Sequence, residues 1–205
     1  MNSFPAVLGT ILLLVCPLFA QEKATTDSGQ KVLLFKDGTW KPEIKVATPN
    51  SKTAIFVKSV DSTTKVSIAR GKFSLYFNPK KWKQKGPEEG GRSAYEHKDG
   101  DGNALILTER TQMPLELFKA QVLTNAKNAA PDAEIFFSET RKVNGHDILA
   151  MQIKGNMKGM AIHYYGYYYT GKEGCIQVLT YTTENLFEEF KSDFDEFLNG
   201  LVLEP

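Results

Sequence analysis

The clearest pattern along the chain is a stripe of large apolar residues near the C-terminus. They recur at the spacing of one helical face and are Phe187, Phe190, Phe194, Phe197 and Leu201. Acidic residues occupy the other faces, so the stripe predicts an amphipathic helix whose phenyl rings face a core. Asn185 and Glu188 resemble a capping box at the start of this helix, and Gly200 is suited to its end.

A second helical stripe follows Pro114, a residue that fits the first turn of a helix because its missing N–H is not needed there. The apolar positions of this stripe are Leu115, Phe118, Val122 and Ala126. Pro131 prevents much continuation. We therefore expect a second helix that begins near residue 114 and ends before residue 131.

Short apolar runs separated by Gly, Asn, Asp or Pro predict β-strands in the rest of the chain. The expected strands span residues 55–60, 65–69, 73–77, 93–97, 104–109, 134–142, 147–153, 160–170 and 175–181. Strands do not alternate with helices in this order. The pattern therefore favours the α+β class, with a mostly antiparallel sheet on which the helices pack.

Residues 1–20 have the pattern of a secretory signal peptide. An apolar run at 6–15 is followed by Pro17 and the small residue Ala20, and the chain turns polar at Gln21. The run is shorter than the roughly 20 apolar residues of a membrane span. We expect export to the periplasm or the extracellular space. A leader that stays uncleaved as a membrane anchor is the alternative, because no Lys or Arg precedes the run.

Residues 21–60 predict a small β-ribbon and a linker, which precede one domain at 61–205. The ribbon combines a strand at 31–35, a tight turn at Asp37-Gly38 and a second strand that starts at Thr39. Residues 22–30 are polar and are expected to form a flexible lead-in. Residues 41–52 contain Pro42 and Pro49, as is typical of a linker.

Composition and charge narrow the classes of partner. Hydrophobic residues make up 41% of the chain and charged residues 24%, as in globular proteins. The net charge of +1 disfavours a broad surface for nucleic acid. Cleavage after Ala20 leaves Cys175 as the remaining cysteine, so an internal disulfide is excluded. We also expect a monomer. Because Cys175 lies in an apolar run, we interpret it as a buried small residue rather than a nucleophile.

Candidate chemistry is sparse along the chain. His97, His146 and His163 are too far apart in sequence to give the spacing of a compact metal site. Solvated turns are the expected positions of His97 and His146. No Gly-x-Ser-x-Gly nucleophile motif and no glycine-rich phosphate loop occurs. We therefore predict no catalytic residue, no metal ligand and no cofactor.

A tyrosine-rich run offers a candidate contact surface. In an extended strand, His163, Tyr165, Tyr167 and Tyr169 share one face, and aromatic strips of this kind often mark contacts when they are exposed. Ordinary cross-strand packing of the tyrosines is the commoner explanation of such a run. Trp82 lies among four nearby lysines and is a further candidate. For Trp82, an indole packed inward with solvated lysines beside it is the favoured interpretation.

Several segments resemble the PsbP-like family, which includes the photosystem II extrinsic protein and a Ran-binding nuclear import factor. They are Phe-Ser-Leu-Tyr-Phe-Asn-Pro-Lys-Lys-Trp at 73–82, Met-Pro-Leu at 113–115, Val-Asn-Gly-His at 143–146, and the Phe-rich last helix. The resemblance covers residues 67–203 and implies an α/β/α sandwich with a binding or accessory role. Residues 26–40, which end in Asp-Gly-Thr-Trp, resemble a short N-terminal segment of exported bacterial proteins.

These observations favour an exported, non-enzymatic binding or accessory protein of the cell envelope or periplasm. Its partner, a protein or a small ligand, is not identified by the sequence. Two alternatives stay open. One is a hydrolase or other enzyme whose residues converge only in the fold. The other is a membrane-tethered envelope stability factor that keeps its leader.

Overall fold

The N-terminal unit is a small antiparallel sheet. The computed structural model describes residues 22–25, 31–34, 38–42 and 56–204, and the chain divides into two units, Met1–Glu43 and Ile44–Pro205. In the first unit, β1 (Glu22–Thr25), β2 (Lys31–Leu34) and β3 (Trp40–Pro42) pair in that order.

Two strands of this small sheet follow the expected ribbon, and the third does not. β2 and β3 pair in an antiparallel register, and Gly38 between them has a φ of 82°. β1 lies in residues expected to form a flexible lead-in, so that expectation is wrong for 22–25: pairing with β2 gives this polar segment its extended form. The predicted signal peptide and most of the predicted linker lie outside the described residues.

The second unit contains the remaining strands and both helices. Its elements are β4 (Thr64–Ile68), β5 (Phe73–Phe77), β6 (Trp82–Gln84), β7 (Arg92–His97), β8 (Asn103–Glu109), α1 (Leu115–Ala129), β9 (Glu134–Val143), β10 (His146–Met157), β11 (Met160–Gly171), β12 (Gly174–Thr183), α2 (Phe187–Asn199) and β13 (Leu201–Leu203).

Seven strands form the central sheet, in the order β6-β7-β8-β12-β11-β10-β9, and three form a smaller sheet, β13-β5-β4. The pairings between these strands are antiparallel. Turn residues set the hairpins, as in the tight turn at Asn144-Gly145, where both residues have positive φ. The predicted α+β class with a mostly antiparallel sheet is confirmed.

The two faces of the central sheet are covered by different elements. On one face, the phenyl rings of α2 join residues of the smaller sheet and of the central strands in one buried cluster. On the other face, Phe118 and Val122 of α1 pack with Tyr168 and other strand residues in a second cluster. Alternation along β11 therefore sends Tyr165 and Tyr167 towards α2 and Tyr168 towards α1. The result is the expected α/β/α sandwich.

Three local expectations are wrong. Residues 57–60 form no strand, and Phe56 makes only an isolated bridge with Val143, so the predicted strand at 55–60 is absent from its described part. Leu201 does not extend the helical stripe, because it pairs with Leu75 in the smaller sheet. A 3₁₀ turn at Glu184–Leu186 precedes α2, and no side chain caps the helix, so the predicted capping box does not form.

The remaining elements agree with the sequence patterns. α1 begins after Pro114 and ends at Ala129, and α2 ends at Asn199 with Gly200 as its C-cap. Each of the other predicted strands overlaps an observed one. Within the described ranges, no helix combines the length and hydropathy that a membrane crossing requires.

Candidate functional site

A cleft of about 610 Å³ opens at one end of the second unit, and we call it the end cleft. Four segments line it: the turn after β4, the loop before β7, the end of β8, and the two-residue loop between β11 and β12. Sheet hydrogen bonds hold β8 beside β12 and β12 beside β11, so three of the loops meet because of strand order rather than sequence proximity.

The first lining segment has an unusual backbone. After β4, residues Ala69, Arg70 and Gly71 have φ angles of 48°, 58° and 82°, so three successive residues adopt left-handed conformations. For a residue with a Cβ, such a conformation costs about 1–2 kcal/mol. The turn returns the chain from Ile68 to its partner Phe73 and leaves the Arg70 side chain exposed at the cleft.

The loop between β11 and β12 closes another side of the cleft. Gly171 pairs with Gly174, so Lys172 and Glu173 form a two-residue hairpin loop. Gly174 has a φ of 107°, and a Cβ there would lie 2.0 Å from the Glu109 carbonyl oxygen. Glycine therefore allows this hairpin to lie directly against the end of β8.

The end cleft is lined mainly by charged side chains. Its cations are Arg70, Lys72, Arg110 and Lys172, and its carboxylates are Glu88, Glu109 and Glu173. Among the described residues, none of the four cations has an ion pair. Several cations elsewhere on the surface are paired, as where Lys83 lies 2.7 Å from Glu96 and Lys142 lies 2.7 Å from Asp147, although others in the described part of the chain, such as Lys158, are not. The cleft therefore presents charge that the fold itself does not use.

The predicted aromatic contact strip is largely buried. His163, Tyr165 and Tyr167 are 3%, 1% and 0% exposed, because the phenyl face of α2 covers them. The expectation of an exposed strip is therefore wrong for these three residues. Trp82 is 1% exposed and packs against Phe194 and Phe197 of α2, which confirms the favoured interpretation of an inward indole.

Tyr169 differs from the rest of the strip because it is only half-buried and contacts Glu173, a residue of the end cleft. Its hydroxyl donates a hydrogen bond to Glu173 Oε2 at 3.0 Å. Burial and this hydrogen bond raise the pKa of the Tyr169 phenol. Of the five residues predicted for the contact surface, Tyr169 is thus the one connected to the cleft.

The buried tyrosines of the strip form a polar network with α2. Tyr165 donates to Asp195 Oδ1 at 2.7 Å, and Tyr167 donates to Asn199 Oδ1 at 2.8 Å. Arg141 donates to the Tyr165 hydroxyl and to Glu139. Burial raises the pKa of both phenols. These contacts satisfy polar groups beneath a helix and so stabilise the packing of α2 on the sheet.

His163 lies in a tight aromatic enclosure at the start of α2. Its ring stacks on Phe187 with centroids 3.4 Å apart, Nε2 lies 2.9 Å from Gln152 Oε1, and Nδ1 lies 3.2 Å from Glu184 Oε2. Burial lowers the pKa of the imidazole to about 4, and Glu184 opposes this while Lys154 adds to it. The ring is therefore neutral at physiological pH.

The other two histidines occupy contrasting positions. His146 is exposed at the hairpin turn between β9 and β10, as expected. His97 is 4% exposed between Trp82 and Phe190, so the expectation of a solvated position is wrong for it. Its Nε2 lies 3.1 Å from Asp193 Oδ2 of α2. The turn after β7 begins at His97, but its ring points into the core.

Cys175 is buried, as predicted. Its side chain is 1% exposed in the cluster beneath α1, and Sγ lies 3.1 Å from the Thr111 carbonyl oxygen. His163 belongs to the opposite face of the sheet, so the thiol and this imidazole are separated by the sheet itself. Across the described residues, no three His, Cys, Asp or Glu side chains are grouped to hold a metal ion.

Comparison with solved structures identifies the fold. The cyanobacterial PsbP protein (CyanoP) of Synechocystis superposes with a TM-score of 0.53 and 15% identity, over 71% of this chain and 95% of that one. The fold is PsbP-like. This confirms the resemblance carried by residues 73–82 and the later segments. No protein-family model and no curated protein matches the chain.

Two further solved structures have lower similarity to this PsbP-like chain. The Ran-binding protein Mog1p of Saccharomyces cerevisiae gives a TM-score of 0.47 at 10% identity, over 68% of this chain and 94% of that one. LpqN of Mycobacterium tuberculosis, described as involved in cell envelope biogenesis, gives 0.38 at 10% identity, over 69% and 90%. Neither of these two similarities carries a conclusion about this chain, and its function is argued from the site.

The sequence analysis missed the end cleft. Gly90 and Gly91 were a weak signal for it, because paired glycines commonly supply the positive φ of a tight turn, and their φ angles are 59° and 79°. The charged lining residues gave no local pattern. They come from four segments separated by as many as about a hundred residues, and only the tertiary fold brings them together.

Proposed function

We propose that the mature protein is an exported accessory module that acts by binding a ligand in the end cleft. The observation that carries this proposal is the cleft itself, which has a volume within the usual range for ligand sites and a lining of unpaired charges. The leader at residues 1–20 supports export, and the PsbP-like fold provides a rigid sheet that holds the cleft loops.

The contacts of the buried titratable groups favour binding over hydrolysis. His163 and Glu184 approach within 3.2 Å, which is the kind of pair a hydrolase needs. The imidazole, however, lies beneath Phe187 and is 3% exposed, so a substrate has no access to it. The thiol of Cys175 lies on the other face of the sheet. A catalytic role would require α2 to separate from the sheet.

The experiment expresses the full chain, leader included, in a bacterial host and purifies it from the periplasmic fraction. Intact mass spectrometry reads the mature N-terminus, and native mass spectrometry reads any ligand retained without a covalent bond. We expect a chain that begins at Gln21 and carries a small adduct. Thr108→Phe, which fills the cleft from β8, is expected to lose the adduct, whereas Thr140→Phe on the exposed edge strand β9 keeps it.

Two results would contradict the proposal. A wild-type protein with no adduct, or an adduct that Thr108→Phe retains, removes the end cleft as the binding site. A mature chain that still contains residues 1–20 and stays with the membrane favours the tethered stability factor instead. Circular dichroism of both phenylalanine variants verifies that they keep the wild-type fold.

A further inference from the structure

The end cleft has a second property beyond its volume, which is the chemical character of its lining. Of its described lining residues, Ala69 alone has an apolar side chain, and the others are charged, glycine or threonine. Sites for apolar ligands are lined mainly by hydrophobic and aromatic side chains. A lipid chain or another apolar occupant therefore does not suit this cleft.

The cations of the cleft stay unpaired although carboxylates line the same space. Arg70, Lys72, Arg110 and Lys172 outnumber the three glutamates, and the chain as a whole has a net charge of only +1. One of the glutamates, Glu173, already accepts the hydrogen bond from Tyr169. Glu173 keeps its charge in this contact, so four cations against three carboxylates leave an excess of one positive charge in the cleft.

The backbone of the turn after β4 is strained where it lines the cleft, which is a second observation that favours a ligand site there. Ala69 and Arg70 both have left-handed φ angles, each costing about 1–2 kcal/mol, and the turn they form holds Arg70 and Lys72 at the cleft. Strain of this kind persists where the surrounding structure imposes it and clusters at ligand sites. A relaxed hairpin between β4 and β5 would not need it.

We propose that the occupant of the end cleft is a polar small molecule that bears a carboxylate or a phosphate together with hydroxyl groups. This inference rests on the proposed function. The guanidinium groups of Arg70 and Arg110 bind such an anion through paired N–H donors, and the two lysines add point charges. Glu88 and Glu109 accept hydrogen bonds from its hydroxyl groups. A cleft of about 610 Å³ accommodates a molecule of sugar size.

The test compares three ligands with the same hexose ring: glucose-6-phosphate, glucuronate and neutral glucose. Amide NMR spectra of the labelled mature protein follow the resonances of Gly90 and Gly91, which line the cleft. We expect saturable shifts at these glycines with an anion, and a dissociation constant of about 1 mM or tighter. The anion that binds more tightly assigns the group as phosphate or carboxylate. Added salt weakens the binding, since exposed charges are screened.

Variants test whether the cations of the cleft cause the binding that the amide shifts report. The double variant Arg110→Gln/Lys172→Gln is expected to weaken anion binding by about tenfold for each charge removed. Lys158→Gln is the matched control, because Lys158 is an exposed lysine in the turn at the opposite end of β11. It is expected to bind as the wild type does.

Three results overturn the inference. Equal affinity for neutral glucose and for the anions shows that charge is irrelevant. Unchanged anion binding in the double variant shows that these cations are not used. No shift at Gly90 and Gly91 with either anion shows that the cleft does not take this class of ligand. In each case an adduct lost in Thr108→Phe leaves the proposed function standing, so the two proposals fail separately.

Discussion

At the scale of single residues, the environment of His163 has a measurable consequence for stability. The imidazole lies under Phe187 and beside Phe136, and it is 3% exposed. Burial is the largest cause that lowers its pKa, from the ordinary 6.5 to about 4; Glu184 acts against the shift and Lys154 acts with it. The unfolded chain therefore binds this proton more strongly than the folded protein does.

We predict that His163→Gln flattens the pH dependence of stability below pH 6.5. In the wild type, the contribution of His163 is fully present above its ordinary pKa of 6.5 and decreases as the pH falls towards 4. The slope of the free energy of unfolding against pH then corresponds to the uptake of up to about one proton on unfolding. Urea unfolding at a series of pH values measures it.

The control for this prediction is His146→Gln, which replaces an exposed imidazole in the turn between β9 and β10. It is expected to keep the wild-type slope. Carboxylates titrate in the same window in all three proteins, so the His163 contribution is the difference between the profiles. Identical slopes for His163→Gln and the wild type would show that the folded protein does not hold the ring neutral.

The sequence predicted the grouping of the aromatic residues but not their exposure. Alternation along a strand correctly placed His163, Tyr165 and Tyr167 on one face. Which face a helix covers depends on how the chain returns across the sheet, and no local pattern encodes that. The four phenyl rings of α2 need a large apolar surface, and this tyrosine face provides it.

At the scale of elements, α2 stabilises the fold far more than α1 does. Five residues of α2 are buried, against two in α1. Phe194 is 0% exposed and contacts the rings of Trp82, Phe187 and Phe190. In α1, Leu117 is 59% exposed. The two helices therefore offer a matched comparison of buried and exposed apolar side chains.

We predict that Phe194→Ala lowers the free energy of unfolding by about 3–5 kcal/mol, because it leaves a cavity among aromatic rings. Leu117→Ala is expected to change it by less than about 0.5 kcal/mol, since its side chain lies mainly in solvent. Urea denaturation followed by circular dichroism measures both. A loss below about 1 kcal/mol for Phe194→Ala would contradict the packing of α2 described above.

The sequence correctly predicted the strands that are joined by short turns containing glycine or asparagine. The hairpins at Asn144-Gly145 and at 171–174 join strands that the sequence identified, because glycine and asparagine fix the turns locally. The wrong predictions concern segments whose conformation depends on pairing with another strand rather than on their own residues. β1 is extended because β2 pairs with it, and Leu201 leaves the helical stripe because β5 lies within reach.

At the scale of the whole molecule, the end cleft could not be predicted from the sequence, because its lining residues come from segments that are distant along the chain. Arg110 and Lys172 belong to segments that share no spacing or motif, and they meet because β8 pairs with β12 and β12 with β11. A single charged residue in a turn is common and does not indicate a binding site. Such residues form a candidate site only where several turns lie together in the fold. The periodicity of apolar residues was sufficient to predict the fold class, whereas finding the cleft required the complete tertiary arrangement of the strands.

The boundary of the second unit is also decided by particular contacts. The sequence placed the start of the domain at residue 61, where the denser strand pattern begins. Residues before that point nevertheless contact β9 and its turn. Asn144 N–H donates to the Phe56 carbonyl oxygen at 2.9 Å, and Lys58 N–H donates to Asn144 Oδ1 at 2.9 Å. The Arg141 guanidinium lies 4.5 Å from the centre of the Phe56 ring.

We predict that a chain of residues 44–205 folds cooperatively and that a chain of residues 61–205 is less stable by about 2–3 kcal/mol. Each hydrogen bond to residues 56–58 contributes about 1 kcal/mol, and the contact between Arg141 and the Phe56 ring contributes about as much. The buried clusters of this unit consist of residues from 68 onward, so both chains keep a core. Urea midpoints and near-ultraviolet circular dichroism compare them with the chain 21–205. Equal midpoints for the two shorter chains would support the predicted boundary at residue 61, whereas a chain 44–205 without a near-ultraviolet signal would show that the domain needs residues before 44.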